Sequence, residues 1–129
     1  MKQFFFLICS FLFLVPTHAA WQKFTETDSA VFYVDPSKRS KPESDGVVTI
    51  LFVIDYNTPQ LVDGKVYMSS TYGVKFDCIT SQMLPVLEIK NSGRRGSGDV
   101  ISHIPLIDSW KNLSSSSIFQ KLLNFACQK

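Results

Sequence analysis

The stretch VYMSSTYGVKFDC, residues 66–78, decides which fold the sequence predicts. Side chains of a strand alternate between two faces, and alternate residues from Val66 to Cys78 form a mostly apolar face, while those between them are mostly polar. The pattern predicts a long β-strand with a second layer packed on one face. Cys78 belongs to the apolar face, so its sulfur should point toward that layer. Gly73, inside the strand, predicts a β-bulge.

The second layer is predicted at the carboxyl end of the chain. Serines at positions 114–117 can cap the first turn of a helix, and apolar residues then recur at helical spacing. The residues of this apolar stripe are Ile118, Phe119, Leu122, Leu123 and Ala126. Cys127 lies four residues after Leu123 and therefore shares the stripe.

Cys78 and Cys127 are the only cysteines after the first 20 residues, and both are predicted at the interface between sheet and helix. We therefore predict a disulfide between them. Two buried free thiols are the alternative, which is more typical of cytosolic than of exported proteins. In the loop-entropy model, a bond that closes a loop of this length stabilises the fold by about 4 kcal/mol.

The pattern of residues 1–20 is typical of a secretory signal peptide. A lysine at the second position precedes an apolar run from Phe4 to Val15, and small residues end the segment. The run is shorter than the roughly 20 apolar residues of a transmembrane helix, so we predict no membrane span in the mature chain. A lipid-attachment site at Cys9 is disfavoured because a bulky isoleucine precedes it. The mature domain, residues 21–129, should be exported to the periplasm or to the cell surface, or secreted.

The rest of the mature domain predicts an antiparallel sheet. Further strands are predicted at Ala30–Val34, Val47–Ile54, Met83–Lys90 and Val100–Ile104. Val47–Ile54 is apolar at nearly every position, which indicates a central strand covered on both faces. Residues 57–64 predict a turn-rich connection with a hairpin at Asp63–Gly64, and the glycine-rich residues 91–98 predict a flexible tip. The predicted fold is α+β: an antiparallel β-sheet with a C-terminal helix packed on one face, tied by a helix–sheet disulfide.

The sequence contains no recognisable catalytic or metal-binding motif. His103 is the only histidine after residue 20, and paired cysteines would leave no thiolate nucleophile and no sulfur ligand. Asp35, Asp55 and Asp77 lie near strand ends, where capping of turns is the ordinary role of an aspartate. A formal net charge of +2 gives no electrostatic case for binding nucleic acid. We therefore predict a protein that is not an enzyme and that uses no metal or cofactor.

Two basic loop segments are the candidate ligand contacts. Lys38, Arg39 and Lys41 lie in a polar connection, and Arg94 and Arg95 lie at the glycine-rich tip. Binding groups are frequently found on loops of this kind. Arg94 and Arg95 could bind a sulfated or acidic partner, and the alternative is a solvated hairpin end kept soluble by two charges.

Short motifs along the mature chain occur in an order that resembles a known family. They are Tyr33-Val34-Asp35 at a strand end, the apolar strand that closes with Asp55-Tyr56, the Ser69-Ser70 pair, Phe76-Asp77-Cys78, Gly96-Ser97-Gly98 and the final Ala126-Cys127. In this order they resemble the surface-adhesin protein E family of Gram-negative bacteria. The resemblance implies an antiparallel sheet, a terminal helix and a disulfide between them. It also implies exposure on the cell envelope and adhesion to host matrix proteins such as vitronectin or laminin.

These observations together predict a non-catalytic binding or adhesion module for a host extracellular-matrix protein or another extracellular protein. The alternative is a structural or accessory protein of the periplasm without adhesin activity. An enzyme is the least favoured of the three, because no catalytic group is apparent. An open edge of the sheet could pair with a second copy, so a homodimer is a further expectation.

Overall fold

One antiparallel sheet forms the framework of the computed structural model, which describes residues 21–40, 45–106, 109–113 and 117–128. Its strands are β1 (Gln22–Glu26), β2 (Ala30–Val34), β3 (Val47–Val62), β4 (Lys65–Asp77), β5 (Gln82–Asn91), β6 (Val100–Pro105) and β7 (Lys111–Asn112). The spatial order is β1-β2-β3-β4-β5-β6, and β7 pairs with the first residues of β5. The helix α1 (Ile118–Cys127) follows. The predicted signal peptide, residues 1–20, lies outside the described residues.

The hairpin between β3 and β4 turns at the two residues that the sequence predicts. Asp63 and Gly64 have φ values of 48° and 73°, the left-handed pair that a two-residue type I′ turn requires. β3 begins where predicted but continues to Val62 instead of ending at Ile54. The extension pairs with the start of β4 beyond a register shift that follows Asp55. Most of the residues predicted as a turn-rich connection are therefore strand.

The predicted apolar face of β4 is confirmed in the second half of the strand, whereas Val66 near its start is exposed. Val74 and Phe76 are buried in the core beneath α1. The pairing of β4 with β5 shifts register next to Gly73, as predicted, although the extra residue is Val86 on the partner strand. A Cβ atom at Gly73 would lie 3.3 Å from the Cβ atom of Leu87, so the glycine lets the two strands approach closely at the bulge.

The hydrophobic core lies between α1 and one face of the sheet. Its buried members are Ala30, Phe32, Val34, Val48, Ile50, Phe52, Val74, Phe76, Met83, Leu122, Leu123 and Ala126. Aromatic rings connect the two layers, since Phe119 of α1 lies edge-to-face on Phe52 with ring centroids 6.3 Å apart. α1 begins after Ser117, whose hydroxyl accepts a hydrogen bond from the Gln120 N–H at 3.1 Å. Burial of the apolar stripe, helped by this cap, holds the helix on the sheet.

Cys78 and Cys127 form the predicted disulfide, and their Cα atoms lie 5.7 Å apart. The bond joins the residue that follows β4 to the last residue of α1. The fold is therefore the predicted α+β arrangement, with an antiparallel sheet, a C-terminal helix on one face and a covalent tie between them. No helix among the described residues is long and apolar enough to span a membrane.

The other face of the sheet is covered by a loop at one end. Val53 of β3 alternates with the core residue Phe52, so it belongs to this second face, and yet it is 0% exposed. The short 3₁₀ turn Arg94–Gly96 bonds to side chains of β3 and β4 on this side. β3 is thus central, as predicted, with α1 on one face and, near Asp55, this turn on the other.

Candidate binding site

The glycine-rich connection between β5 and β6, residues 92–99, carries two arginines, and we call it the arginine loop. The sequence predicts a flexible tip here, and in the structure the loop is closed by its own hydrogen bonds. The Ser92 N–H donates to the Asp99 carbonyl at 2.9 Å, and the Asp99 N–H donates to the Ser92 hydroxyl at 2.8 Å. Further inside, the Gly93 N–H donates to the Ser97 carbonyl at 3.0 Å. The loop therefore has one defined backbone shape.

Two buried side chains of the sheet anchor the arginine loop. The carboxylate of Asp55 on β3 accepts a hydrogen bond from the Arg95 N–H at 2.6 Å. Ser69 is the cross-strand partner of Asp55 on β4. The Ser69 hydroxyl donates to the Gly93 carbonyl at 2.7 Å and accepts from the Gly96 N–H at 3.0 Å. Asp55 is 3% exposed and Ser69 is 0% exposed, so both rely on protein partners for hydrogen bonds that water cannot supply.

The backbone of the loop is shaped to receive the Asp55 carboxylate. Arg95 has φ 54° and ψ 42°, and Gly96 has φ 72°, so both residues are left-handed. The left-handed conformation costs a residue other than glycine about 1–2 kcal/mol. In this conformation the Arg95 N–H donates to the Asp55 carboxylate, and the next N–H, of Gly96, donates to the Ser69 hydroxyl. The backbone donors thus face the sheet, and the arginine side chains are left for the surface.

The two guanidinium groups occupy defined positions at the surface. Arg94 donates from Nη1 to the Tyr56 carbonyl at 3.1 Å. The Arg95 guanidinium lies 5.6 Å from the centroid of the Tyr33 ring, a cation–π contact. Both arginines are exposed. The structure therefore brings these two predicted contacts together and holds them on an anchored backbone.

Arg39, another predicted contact, is engaged with the end of α1. Its Nη1 donates to the Phe125 carbonyl at 3.0 Å, and its guanidinium lies 5.6 Å from the centroid of the Phe125 ring. The side-chain oxygen of Gln128, in the amide orientation that satisfies both groups, also accepts from Arg39. A cation beside the last carbonyls of a helix complements the helix dipole. Arg39 therefore helps to fix α1 on the sheet.

Lys38, another predicted contact, does not join the arginine loop. Lys38 is exposed at the end of a 3₁₀ turn, and Lys41 lies outside the described residues. The neighbouring Ser40 bonds to Thr49, near the start of β3, whereas the arginine loop is anchored at Asp55. Six residues of strand span about 20 Å, so Lys38 and Arg39 lie on a different part of the surface from the arginine loop.

A polar cluster that the sequence analysis missed lies on the helix side of the sheet. Lys90 forms an ion pair with Glu88, the two side chains being 14% and 16% exposed, and the Lys90 ammonium lies 5.5 Å from the centroid of the Tyr67 ring. Tyr72 stacks on Phe52 with centroids 5.4 Å apart. Burial, and then the Glu88 carboxylate, raise the pKa of Tyr72 far above its usual value. The spacing of Glu88 and Lys90 along β5 could have indicated that they share one face.

The aspartates near strand ends do not converge on a cleft. The Asp35 carboxylate accepts from the Ser37 N–H at 3.0 Å, and backbone hydrogen bonds, led by that of Thr80, hold the pKa of Asp77 below its usual value. The predicted capping role is confirmed for Asp35 and Asp77. In the register of β3 and β4, Asp55 and Asp77 are separated by eight residues, or about 25 Å. A pair of glycosidase carboxylates is separated by roughly 5–10 Å, so these two cannot act on one bond.

His103 lies exposed on β6, opposite Ile89 of β5. A cysteine–histidine pair needs a free thiol, and both Cys78 and Cys127 are bonded to each other. In the part of the chain that the structure describes, no three histidine, cysteine, aspartate or glutamate side chains are grouped so that they could hold a metal ion.

The match to a protein family spans nearly all of the described chain. The family model described as surface-adhesin protein E matches residues 21–128. The chain belongs to the surface-adhesin protein E family. The matched range includes the whole described sheet, α1 and both cysteines of the disulfide, and it confirms the resemblance seen in the sequence. Comparison with curated proteins gives no match.

Solved structures of protein E from Haemophilus influenzae have the fold of this surface-adhesin protein E domain. The structure of its crystal form II aligns with a TM-score of 0.66, covering 86% of this chain and 89% of that chain at 10% sequence identity. Protein E from non-typeable Haemophilus influenzae aligns with a TM-score of 0.62, covering 86% of each chain at 10% identity. At such low identity the likeness establishes the fold alone.

Three of the motifs that carry the family resemblance meet at the arginine loop. Asp55-Tyr56 contacts both arginines, one through the aspartate side chain and the other through the tyrosine carbonyl. Ser69-Ser70 supplies the hydroxyl that holds two glycines of the loop. Gly96-Ser97-Gly98 is part of the loop itself. In this member of the surface-adhesin protein E family, segments far apart in sequence thus form one hydrogen-bond network. This network holds the backbone that carries the two exposed arginine side chains.

Proposed function

We propose that this domain is a non-catalytic adhesion module of the cell envelope, and that it binds host matrix proteins such as vitronectin or laminin through the arginine loop. The family, one of surface adhesins, supports the general role. The observation that carries the proposal is the display of Arg94 and Arg95 on a backbone held by Asp55 and Ser69. A loop that is already ordered loses less conformational entropy when a partner binds.

We prefer the arginine loop to the segment of Lys38, Arg39 and Lys41 as the binding surface, because the arginines of the two segments differ in their contacts within the protein. Arg39 is bound to the last carbonyls of α1, so its replacement would change stability as well as charge. Lys38 and Lys41 stay as secondary candidate contacts. Arg94 and Arg95, by contrast, use few donors within the protein and are exposed.

A solid-phase binding assay tests the proposal. The disulfide-bonded mature domain is applied to immobilised vitronectin and laminin, and it is compared with R94S/R95S and with K65S/K121S. Lys65 and Lys121 are exposed lysines outside the arginine loop, so the second variant is matched for lost charge. We expect R94S/R95S to weaken binding about tenfold or more and K65S/K121S to leave it within about twofold. Equal binding by wild type and R94S/R95S would reject the arginine loop as the contact surface.

The second candidate function is that of a periplasmic accessory protein, and cell location separates it from adhesion. Protease is added to intact cells that produce the mature domain, with a known periplasmic protein as the control. Digestion of the domain with the control intact would support display on the surface. Complete protection, with release only on osmotic shock, would reject adhesion and favour the periplasmic role.

A homodimer remains a prediction. β1 and β6 are the two edge strands in the main strand order of the sheet. Among the described strands, β1 pairs only with β2, and β6 pairs only with β5. Either edge could therefore accept a strand from a second copy. Light scattering on the purified mature domain over a range of concentrations gives the oligomeric state directly.

A further inference from the structure

The charged side chains around the arginine loop indicate which chemical groups a partner would present to it. Among the described residues, neither Arg94 nor Arg95 forms an ion pair with a carboxylate, although other cations nearby do. Lys23, the cross-strand neighbour of Tyr33, is paired with Glu26 at 3.0 Å. The surface therefore offers two arginines whose guanidinium groups form no ion pair among the described residues, beside a lysine that forms one.

The position of each guanidinium favours planar, bidentate acceptors. The Arg95 guanidinium lies over the Tyr33 ring, and an arginine packed against an aromatic ring keeps its N–H groups available around its edge. Arg94 donates one hydrogen bond to the Tyr56 carbonyl, so further N–H donors of its planar guanidinium group stay available to a ligand. Carboxylates match this fork with paired, charge-assisted hydrogen bonds.

We propose that Arg94 and Arg95 bind the carboxylates of an acidic segment, rich in aspartate or glutamate, on the partner protein. Asp55 and Ser69 are positioning residues: they set the arginine backbone from beneath and do not touch the ligand. This inference rests on the proposed function, because it names the chemistry of the partner at the same site.

An acidic protein segment fits this surface better than a densely sulfated glycan does. In the strand register Glu26 lies opposite Val31, which lies opposite the anchor Asp55, and Asp99 is the last residue of the arginine loop. A polyanion with a negative charge on every unit would bring some of those charges close to Glu26 and Asp99, which would repel them. A protein segment with a few separated carboxylates can contact the arginines without approaching these acids. The chain's formal net charge of +2 adds little long-range attraction for a polyanion.

Fluorescence anisotropy with a dye-labelled, glutamate-rich peptide tests the inference. The comparison peptide has every glutamate replaced by glutamine, and the buffer holds about 0.15 M salt so that weak surface attraction is screened. We expect the glutamate peptide to bind the wild-type domain, and both the glutamine peptide and R94S/R95S to lose about tenfold or more in affinity. K65S/K121S should bind within about twofold of wild type. An equal loss in K65S/K121S would overturn the inference, since attraction would then follow total charge.

The positioning role has its own readout. Asp55→Ala keeps both arginines but removes the acceptor of the Arg95 N–H, and we expect it to weaken peptide binding. Asp55→Asn keeps an acceptor oxygen at this position and should recover most of the affinity. Affinities are compared at a temperature where every variant is fully folded, so that a loss of stability does not account for the difference. If Asp55→Ala does not fold, Ser69→Ala removes the second anchor and should weaken binding in the same way. Wild-type affinity in Asp55→Ala or Ser69→Ala would overturn the positioning role.

The same variants separate this inference from the proposed function. Arginine-dependent binding to vitronectin or laminin without any binding of the glutamate peptide would overturn the acidic-segment inference and leave the adhesion proposal intact. Binding of heparin, but not of the peptide, would also overturn it and point to a sulfated ligand. If the domain bound neither the matrix proteins nor the glutamate peptide, both proposals would be rejected.

Discussion

The Asp55 carboxylate on β3 accepts a hydrogen bond at 2.6 Å from the backbone N–H of Arg95, which lies forty residues further along the chain. A buried carboxylate without a partner would be costly, and a left-handed arginine without compensation would be strained. Each group therefore stabilises the other. A glycine-rich hairpin end, which would otherwise be mobile, becomes part of the fold through this bond.

Replacing Asp55 with alanine should release the arginine loop. The variant loses the acceptor of the Arg95 N–H, and we expect the free energy of unfolding to fall by about 1–3 kcal/mol. Local opening should increase further, because a loop without its anchor opens more often than the whole domain unfolds. Limited digestion with trypsin, followed by mass spectrometry, should show cleavage after Arg94 or Arg95 about tenfold faster than in wild type.

Two variants control this experiment. Asp55→Asn keeps an acceptor oxygen and should be cut more slowly than Asp55→Ala. Asp45→Ala removes an exposed aspartate whose carboxylate accepts from the Val47 N–H at 3.2 Å, away from the loop, and should not alter cleavage there. If wild type and Asp55→Ala were cut at equal rates, the hydrogen bond would not be what holds the loop.

Reduction of the disulfide between Cys78 and Cys127 should destabilise the domain strongly. The bond spans 49 residues, for which the loop-entropy model gives about 4 kcal/mol. A domain of this size is typically stable by about 5–15 kcal/mol, so a large share of its stability depends on this bond. Urea unfolding followed by circular dichroism, with and without reductant, should show a marked fall in the midpoint.

The double variant Cys78→Ala/Cys127→Ala is the reference for the reduced protein, because it lacks the bond under any condition. Its midpoint should lie near that of reduced wild type and should not respond to reductant. An unchanged midpoint after complete reduction of wild type would show that α1 stays docked through its apolar stripe alone.

Local patterns predict much of this fold because the forces that shape its elements are local or periodic. Three features depend on residues close in sequence and are confirmed: the apolar face of the second half of β4, the Asp63–Gly64 turn and the helical stripe ending at Cys127. Together they place Cys78 and Cys127 in one interface. A disulfide could therefore be predicted although its partners lie far apart in sequence.

The anchoring of the arginine loop could not be predicted in this way. Glycines and charges in residues 92–99 resemble any hairpin end, and the decisive partners, Asp55 and Ser69, lie on two other strands. The extension of β3 beyond Asp55 was missed for a related reason, since its polar residues become strand only through pairing with β4. Sequence patterns identified Arg94 and Arg95 as candidates, but contacts across the sheet decide how they are presented.

Replacing Arg39 with alanine should loosen the end of α1. The variant loses the hydrogen bond to the Phe125 carbonyl and the cation–π contact with its ring, and we expect a loss of about 1–2 kcal/mol in the free energy of unfolding. Hydrogen exchange should also become faster at the last amides of α1. Arg39→Lys keeps the charge but not the planar fork, so it should recover part of the loss.

Lys38→Ala is the matched control for Arg39→Ala, because it removes an adjacent, exposed positive charge. Its free energy of unfolding, measured in urea, should stay within about 0.5 kcal/mol of wild type. Equal effects of the two substitutions would mean that Arg39 acts through its charge and not through its contacts with α1.

Stability should also fall at alkaline pH because of Tyr72. Burial, and then the Glu88 carboxylate, raise its pKa above the ordinary value of 10.0. Above about pH 10 the unfolded chain loses the Tyr72 proton while the folded domain keeps it. The folded state then binds more protons, so its stability decreases as the pH rises through this window.

Unfolding free energies measured in urea from about pH 8 to about pH 11 test this prediction. Tyr72→Phe cannot ionise at this position, so its stability should fall less steeply above about pH 10 than that of wild type. Comparing slopes, and not midpoints, removes the effect of the substitution on stability at neutral pH. Parallel curves for wild type and Tyr72→Phe would contradict a raised pKa, and would mean that the hydroxyl is better solvated than its packing against Phe52 indicates.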